Sequence, residues 1–379
     1  MDFSYDDEQR ALRDAVRGLA GKTYADHEHR REVTAADPGF DENLWSRMAE
    51  MGLLGLPFAE DDGGVGAGPV EIGIVCQELG AVAAPEPYLT AVVLAGGLVA
   101  ACGTAEQRAH VVQPLAGGEA LPAFAHAEPD TRWAARARAV TATRDGGTWT
   151  LTGTKEPVPH GAQADVLVVS AALPDGGTGL FLVDPGDASV TGYPAYDGSR
   201  AARVDLDAAP AAPLGEPGRD LTASIATVAD LARVMAGNQA LGAMRSALRA
   251  TTDYLGSRRQ FGVTLNTFQD LTFRAADMYV TLELTQSVVD WATMVVATGD
   301  ADALADAASR CALQVSRGSR HVGQEAIQLH GGIAMTAEYA VGSLVAQLTA
   351  LDHLLGDGGH QLGRLAATVG DHGMLDPLG

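Results

Sequence analysis

The spacing of apolar positions divides the chain into three stretches with different periods. From Asp6 to about Gly118, apolar residues recur every three to four positions. Ala11, Leu12, Ala15, Val16 and Leu19 do so, which puts them on one expected helical face. Asp41 stands where an N-cap would open a helix through Trp45 and Met48, and Gly52 where it would stop. Asp61-Asp62-Gly63-Gly64, with Gly66 and Gly68, reads as a loop ahead of an apolar run at 71–79. Between about Leu121 and Leu214 the period becomes two. Residues 140–143 and 149–152 alternate around Asp145-Gly146-Gly147, a hairpin signal, and further strands are expected at 166–170, 180–183 and 204–206. Pro210, Pro213 and Pro217 then read as a linker. From about Leu221 to Thr368 the helical period returns, and 231–254, 271–298 and 303–329 are each long enough for a bundle. The expected class is α+β and mostly α, in domains 1–118, 119–218 and 219–379.

Composition narrows the function more than the fold. The 379 residues suffice for a large core, and 46% of them are hydrophobic, as in an ordinary folded protein. A net charge of −22 argues against nucleic acid as a partner, because phosphate backbones require Lys/Arg clusters. No run of eighteen apolar residues is present, so no membrane span is expected, and the acidic, polar start lacks a signal-peptide pattern. Cys76, Cys102 and Cys311 are far apart and odd in number. They indicate buried thiols in a reducing cytoplasm, with neither a disulfide framework nor a zinc site. No His/carboxylate cluster with ligand spacing points to another metal.

Two segments of the last third carry candidate chemistry. One is Arg258-Arg259-Gln260-Phe261-Gly262, followed by Phe268-Gln269; the other is Gln328-Leu329-His330-Gly331-Gly332. An arginine at a helix end suits a phosphate, since its planar fork gives paired charge-assisted bonds. A Gly-Gly pair after a helix lets backbone N–H groups approach an anion. Together they suggest a cofactor with a diphosphate and an aromatic end. The pair resembles the RxxFG and QxxGG motifs of the acyl-CoA dehydrogenase family of flavoproteins, and the resemblance extends from 3–9 to the 364–366 tail. Within that family Gly192-Tyr193-Pro194 with Asp197-Gly198, and the stretch 330–339 with Gly356-Asp357, are most similar to the pimeloyl-CoA dehydrogenase small-subunit group.

The resemblance implies a helical N-terminal domain, a β-barrel-like middle domain and a C-terminal four-helix bundle. FAD would be held at a subunit interface by Arg258, Phe261, Phe268, Gln269, Gln328, Gly331 and Gly332. It also implies an acyl-CoA or acyl-carrier-protein substrate and electron-transfer flavoprotein as the acceptor. An enzyme of this type needs a carboxylate to take the α-proton. The family's usual position for that Glu falls on Leu355, and its second location falls on Ala232. Asp357 and Asp352 are the local candidates for a replacement, while His353 and His360, seven residues apart, could share a helical face. Glu128-Pro129 resembles the family's TEP segment, but Thr131-Arg132-Trp133 replaces the GSD that follows. The flavin-facing W-x-T falls on 157–159, which begins and ends in proline. His330 stands within the QxxGG motif, where the resemblance puts it beside the cofactor.

The motifs that serve a neighbouring subunit's flavin are thus kept, whereas those serving the chain's own flavin are largely lost. One reading is a dehydrogenase that acts as the small subunit of a heteromer, with an unlike chain supplying the Glu. Another is a non-catalytic subunit completing its partner's FAD site. A third is a homo-oligomer with other contacts, or a flavoenzyme redirected to a reaction that needs no Glu base.

Overall fold

A computed structural model describes residues 4–371. The first part is helical: α1 (Asp7–Thr23), α2 (His27–Ala35), α3 (Glu42–Glu50), α4 (Pro69–Ala81), α5 (Gly97–Cys102) and α6 (Ala105–Ala116). Asp6 and Gln9 close a capping box on α1, and Asp41 Oδ1 accepts the Leu44 N–H at 2.9 Å to open α3, as its sequence suggests. The buried face of α1 is rotated from the expected one. Leu12, Val16, Leu19 and Ala20 turn inward, while Ala11 and Ala15 are exposed. The larger side chains gain most from burial, and the ion pair of Arg17 with Glu78 of α4 (2.9 Å) fixes the roll. A wide-turned helical segment, Tyr88–Gly96, bridges α4 and α5 and is buried at every position but Thr90.

Seven strands follow: β1 (Pro122–Ala125), β2 (Thr141–Asp145), β3 (Thr148–Pro159), β4 (Val166–Ala172), β5 (Thr178–Val183), β6 (Ser189–Pro194) and β7 (Arg200–Pro213). Their order is β1-β4-β2-β3-β7-β5 with β6 on β7, and β5 returns to β4, so the sheet closes into a barrel-like ring. Asp145 pairs with Thr148 across Gly146-Gly147, whose φ values of +57° and +111° are the reason two glycines occupy that turn. Pro210 and Pro213 belong to β7 and are not a linker; only Pro217 lies beyond it. Pro210 pairs with Thr150 of β3 at a point where neither β5 nor β6 lies on its other side, so its missing N–H costs no ladder bond there. Two strands escape the period-two pattern: β1 is only four residues and buried throughout, and β6 carries both Gly192 and Pro194.

The last part comprises α7 (Thr222–Ser257), a short hairpin of β8 (Arg259–Gln260) and β9 (Val263–Thr264), α8 (Gln269–Val296), α9 (Ala301–His330), α10 (Ala340–Leu354) and α11 (Gly358–Ala367). Helices α4 and α7 cross with their backbones in contact. A Cβ on Gly80 would meet the Gln239 carbonyl at 1.9 Å, and one on Gly242 the Gln77 carbonyl at 1.9 Å. Beside this crossing Arg245 donates to Gln77 (2.7 Å), Gln77 to Asn238 (2.7 Å) and Asn238 to Thr293 of α8 (3.0 Å). The N- and C-terminal helices therefore share one apolar core, while the barrel keeps its own around Trp149, Leu151, Phe181 and Val204. No helix among the described residues is long and apolar enough to cross a membrane.

Glu86 ties the entrance of the wide-turned segment to the first helices. Tyr24 Oη donates to its Oε1 at 2.5 Å and the Asp41 N–H at 3.1 Å. Burial pushes the Glu86 carboxyl up to about 7 against these two bonds. Because the folded-state value lies above the ordinary 4.5, the folded protein holds a proton that the unfolded chain releases over that window. The corresponding stability is present below pH 4.5 and lost as pH rises through 7. Glu86→Gln should therefore gain about 3 kcal/mol on the wild type between pH 4 and pH 8, measured by urea unfolding at both values.

Candidate functional site

The two C-terminal segments meet at one end of the bundle. Arg258 ends α7, its N–H bonded to the Tyr254 carbonyl (2.8 Å), and the guanidinium-bearing residue is exposed. Phe261 and Gly262 turn the β8–β9 hairpin at φ +52° and +83°, leaving Phe261 92% exposed with Phe268 edge-on at 6.2 Å. Gln269 opens α8 and Gln328 stands in the last turn of α9. Tyr254 stacks on His330 at 4.7 Å, and Arg274 of α8 pairs with Glu325 of α9 at 2.6 Å, so the segments are held side by side. Gly331, at φ +67°, and Gly332 would each carry a Cβ into open space. His330 lies buried between Tyr254 and Tyr339. Its Nδ1 is 2.7 Å from the Ala326 carbonyl, which makes it the donor and leaves the buried Nε2 an acceptor without a partner. The exposed Arg258, the exposed Phe261 ring beside a half-buried Phe268, and the uncovered glycines fit a dinucleotide diphosphate that approaches from outside this subunit.

A second feature faces inward. A cavity of about 930 Å³ lies between the wide-turned segment, the barrel, and α7, α10 and α11. Leu89, Leu94, Phe124, Ile225, Leu351 and Leu354 give it an apolar wall. Glu128 and Lys155 form a fully buried ion pair at its barrel side (2.9 Å). Lys155 Nζ also donates to the His126 carbonyl (3.0 Å) and Ser170 Oγ (3.1 Å). Glu128 accepts the N–H groups of Arg138, Ala139 and Val140 as well. Burial opposes its charge, but Lys155 and these amides outweigh it and hold the carboxyl below its ordinary value. Burial, helped by Lys155, lowers His126 to about 4 and so keeps it neutral.

Pro157 and Pro159 line the same cavity, together with Trp133, whose Nε1–H reaches the His353 carbonyl at 2.8 Å. The Trp133 ring lies 6.3 Å from His353 and 5.6 Å from His360. The two histidines do not share a helical face: α10 ends between them and α11 begins, because Gly356 (φ +112°) and the Asp357 cap break the helix. Asp357 lines the cavity, yet its Oδ1 accepts the His360 N–H at 2.8 Å as the cap of α11. Asp352 lines a smaller void between α7, α9 and α10 and does not line this cavity. Leu355 and the fully buried Ala232 bring no carboxylate.

What holds this region is a set of residues that the sequence reading passed over. Arg233 Nε donates to the Leu355 carbonyl at 2.8 Å, and its Nη1 reaches Asp230 at 2.6 Å. Arg364 grips the same carboxylate with both nitrogens, at 2.8 and 3.0 Å. Burial first, then Arg233 and Arg364, lower His360 and favour its neutral form. The three-residue spacing of Asp230 and Arg233 on a helix was a usable signal, but Arg364, 134 positions away, offered none.

The family model for the acyl-CoA dehydrogenase N-terminal domain matches residues 6–119, and that for the C-terminal domain matches 222–370. The probable acyl-CoA dehydrogenase YngJ of Bacillus subtilis is 27% identical over 380 aligned positions, covering 96% of this chain and 98% of its own. Among solved structures, the Tcur3481-Tcur3483 steroid ACAD, a variant, superposes with a TM-score of 0.88 at 31% identity, covering 96% of this chain and 98% of that one. The ChsE4-ChsE5 complex from Mycobacterium tuberculosis gives 0.89 at 26% identity, covering 99% and 100%.

Removing the shared carboxylate would leave two partly buried guanidinium groups facing each other. Asp230→Asn should cost about 3–5 kcal/mol in urea unfolding. The mutually exposed pair Arg203–Asp205 provides the contrast, and Asp205→Asn should cost less than about 1 kcal/mol.

Proposed function

Because this chain belongs to the acyl-CoA dehydrogenase family, we propose that it serves FAD-dependent α,β-dehydrogenation of an acyl thioester as the small subunit of a heteromeric enzyme. The family is one of oxidoreductases whose cofactor is FAD, which, when bound, supplies a two-electron hydride acceptor. The observation that carries the heteromeric reading is an asymmetry. The outward cradle from Arg258 to Gly332 is complete, while the inward cavity has Leu355 where a base would stand and Trp133 and Pro157 on its flavin-facing side.

In this reading the chain works by binding and orienting. Arg258 would pair with the diphosphate of a bound FAD, and the backbone amides at Gly331 and Gly332 would be free to approach it. Phe261 and Phe268 would offer it aromatic surface, and the Gln269 and Gln328 side chains would be available to hydrogen-bond it. The partner supplies the Glu that removes the α-proton and the wall behind the flavin ring. The likeness to the pimeloyl-CoA dehydrogenase small-subunit group supports this division, as does the likeness to solved structures named for pairs of chains. Units 1–118, 119–218 and 219–379, a cytoplasmic setting, a CoA or carrier-protein thioester and electron-transfer flavoprotein as the acceptor complete the proposal. One observation favours a homo-oligomeric alternative: Asp357 lines the cavity and could take a proton if released from its capping role.

Flavin content and oligomeric mass, measured on the chain purified alone and after coexpression with a Glu-bearing dehydrogenase subunit, test the division. Little FAD alone and stoichiometric FAD in the mixed complex is the expected result; near one FAD per chain in a homo-oligomer would overturn it. In the complex, Arg258→Ala should weaken FAD retention roughly 10- to 100-fold, read by fluorescence of released flavin on dilution.

A further inference from the structure

Helix α8 is apolar on two opposite faces, and the fold uses only one of them. Met278, Leu282, Thr285 and Val289, at the spacing i, i+4, i+7 and i+11, are buried within the bundle. Phe273, Val280 and Leu284, at i, i+7 and i+11, form a second line on the far side, and they stand 58%, 54% and 59% exposed. A helix at the surface ordinarily turns charged and polar side chains outward. Three large apolar side chains left more than half in water on one line are instead the pattern of a surface that something covers.

The stripe continues the cofactor cradle. Gln269, which opens α8, lies four residues before Phe273 and so on the same face. Phe268 precedes it, with the 92% exposed Phe261 at 6.2 Å. Gln269 to Leu284 spans about 22 Å of helix, at roughly 1.5 Å per residue. One face of one helix thus carries a cradle residue at its start and an apolar stripe over the turns that follow.

Charge selects the kind of chain that fits there. Asp277 and Glu283 flank the stripe, one to either side; both are exposed, and neither forms an ion pair among the described residues. Arg274, the sole cation of α8, is held by Glu325 at 2.6 Å. A second copy laid α8 on α8 would set acid against acid in a chain of net charge −22. A partner whose apolar ridge is edged by Lys or Arg meets both features.

We infer that the Gln269 to Leu284 face of α8 is the docking surface for the unlike subunit, which lays on it an apolar ridge edged by basic residues. The inference rests on the heteromeric reading above and names the surface through which that assembly forms. A chain that covers a flavin held at Gln269 has the stripe running on beneath it. Phe273, Val280 and Leu284 make the centre of the contact, because they lose water there, and the two acids govern partner choice and encounter.

The test uses the complex formed with a Glu-bearing dehydrogenase subunit by coexpression, with its mass read by light scattering and its dissociation constant by fluorescence titration. Leu284→Asp and Val280→Asp should each weaken it about 30- to 100-fold. Both side chains are exposed in the chain by itself, so its melting temperature should stay within about 2 °C of the wild type. Asp277→Lys should weaken the mixed complex at low salt and have little effect at high salt. If the mixed complex forms and neither apolar substitution weakens it, the docking inference is overturned and the heteromeric reading stands. If the wild type forms no mixed complex, both fail; a homo-oligomer that Leu284→Asp splits and Asp277→Lys tightens would then assign the face to a second copy.

Discussion

A single carboxylate, Asp230, organises the inner end of the cavity. Two guanidinium groups converge on it, one from its own helix α7 and one from α11, and Arg233 passes the restraint on to the Leu355 carbonyl. The junction between α10 and α11 is therefore pinned from below, and with it the ends on which His353, His360 and Asp357 sit. Such a cluster adds little net stability, because desolvation consumes most of the Coulombic gain. Its effect is on geometry. One negative and two positive charges also leave a local cationic excess in a chain of net charge −22, which adds to burial in lowering His360 beside Trp133.

The inward-facing substitutions form a set when viewed from this anchor. Leu355, Trp133 and Pro157 come from three different segments, yet each lines the same space. The buried Glu128–Lys155 pair beside them stays hydrogen-bonded, so Glu128 lines the cavity with its charge already matched by Lys155. On the outer surface, the Arg258 to Gly332 cradle keeps every residue of its motifs. A chain that had merely decayed would show losses on both faces.

Legibility in the sequence followed range. The long helices, the Asp41 cap and the Gly146-Gly147 turn all depend on neighbours within a few residues, and the pattern reveals them. The two segments of the last third, each confined to a dozen positions, were legible as segments, and the fold sets them side by side. The strand assignment broke down where local signal conflicts with context. Pro210 and Pro213 read as linker, but an unpaired strand side tolerates proline, and a fully buried four-residue β1 has no alternation to detect. Helix α1 shows the same limit on a smaller scale, because Ala11 and Ala15 fitted the stripe and the packing buried Ala20 instead. The site's supporting residues were beyond reach. Asp230 meets Arg364, and Glu86 meets Tyr24, only because the tertiary fold joins distant segments. His353 and His360 were paired for the wrong reason: a helix break lies between them, and it is the indole of Trp133 that unites them.

The scarcity of lysine has a practical consequence for anyone mapping the assembly. Of the chain's two lysines, Lys155 is wholly enclosed by Glu128, Ser170 and the His126 carbonyl, so only Lys22 near the end of α1 offers a side-chain amine to reagents in solution. Among side chains, amine-directed cross-linkers would therefore report contacts of that one helix and not of the bundle surface around Arg258 and Gly332. Reagents that couple acidic side chains, abundant here at 48 Asp and Glu, are the ones suited to record which chain lies against it.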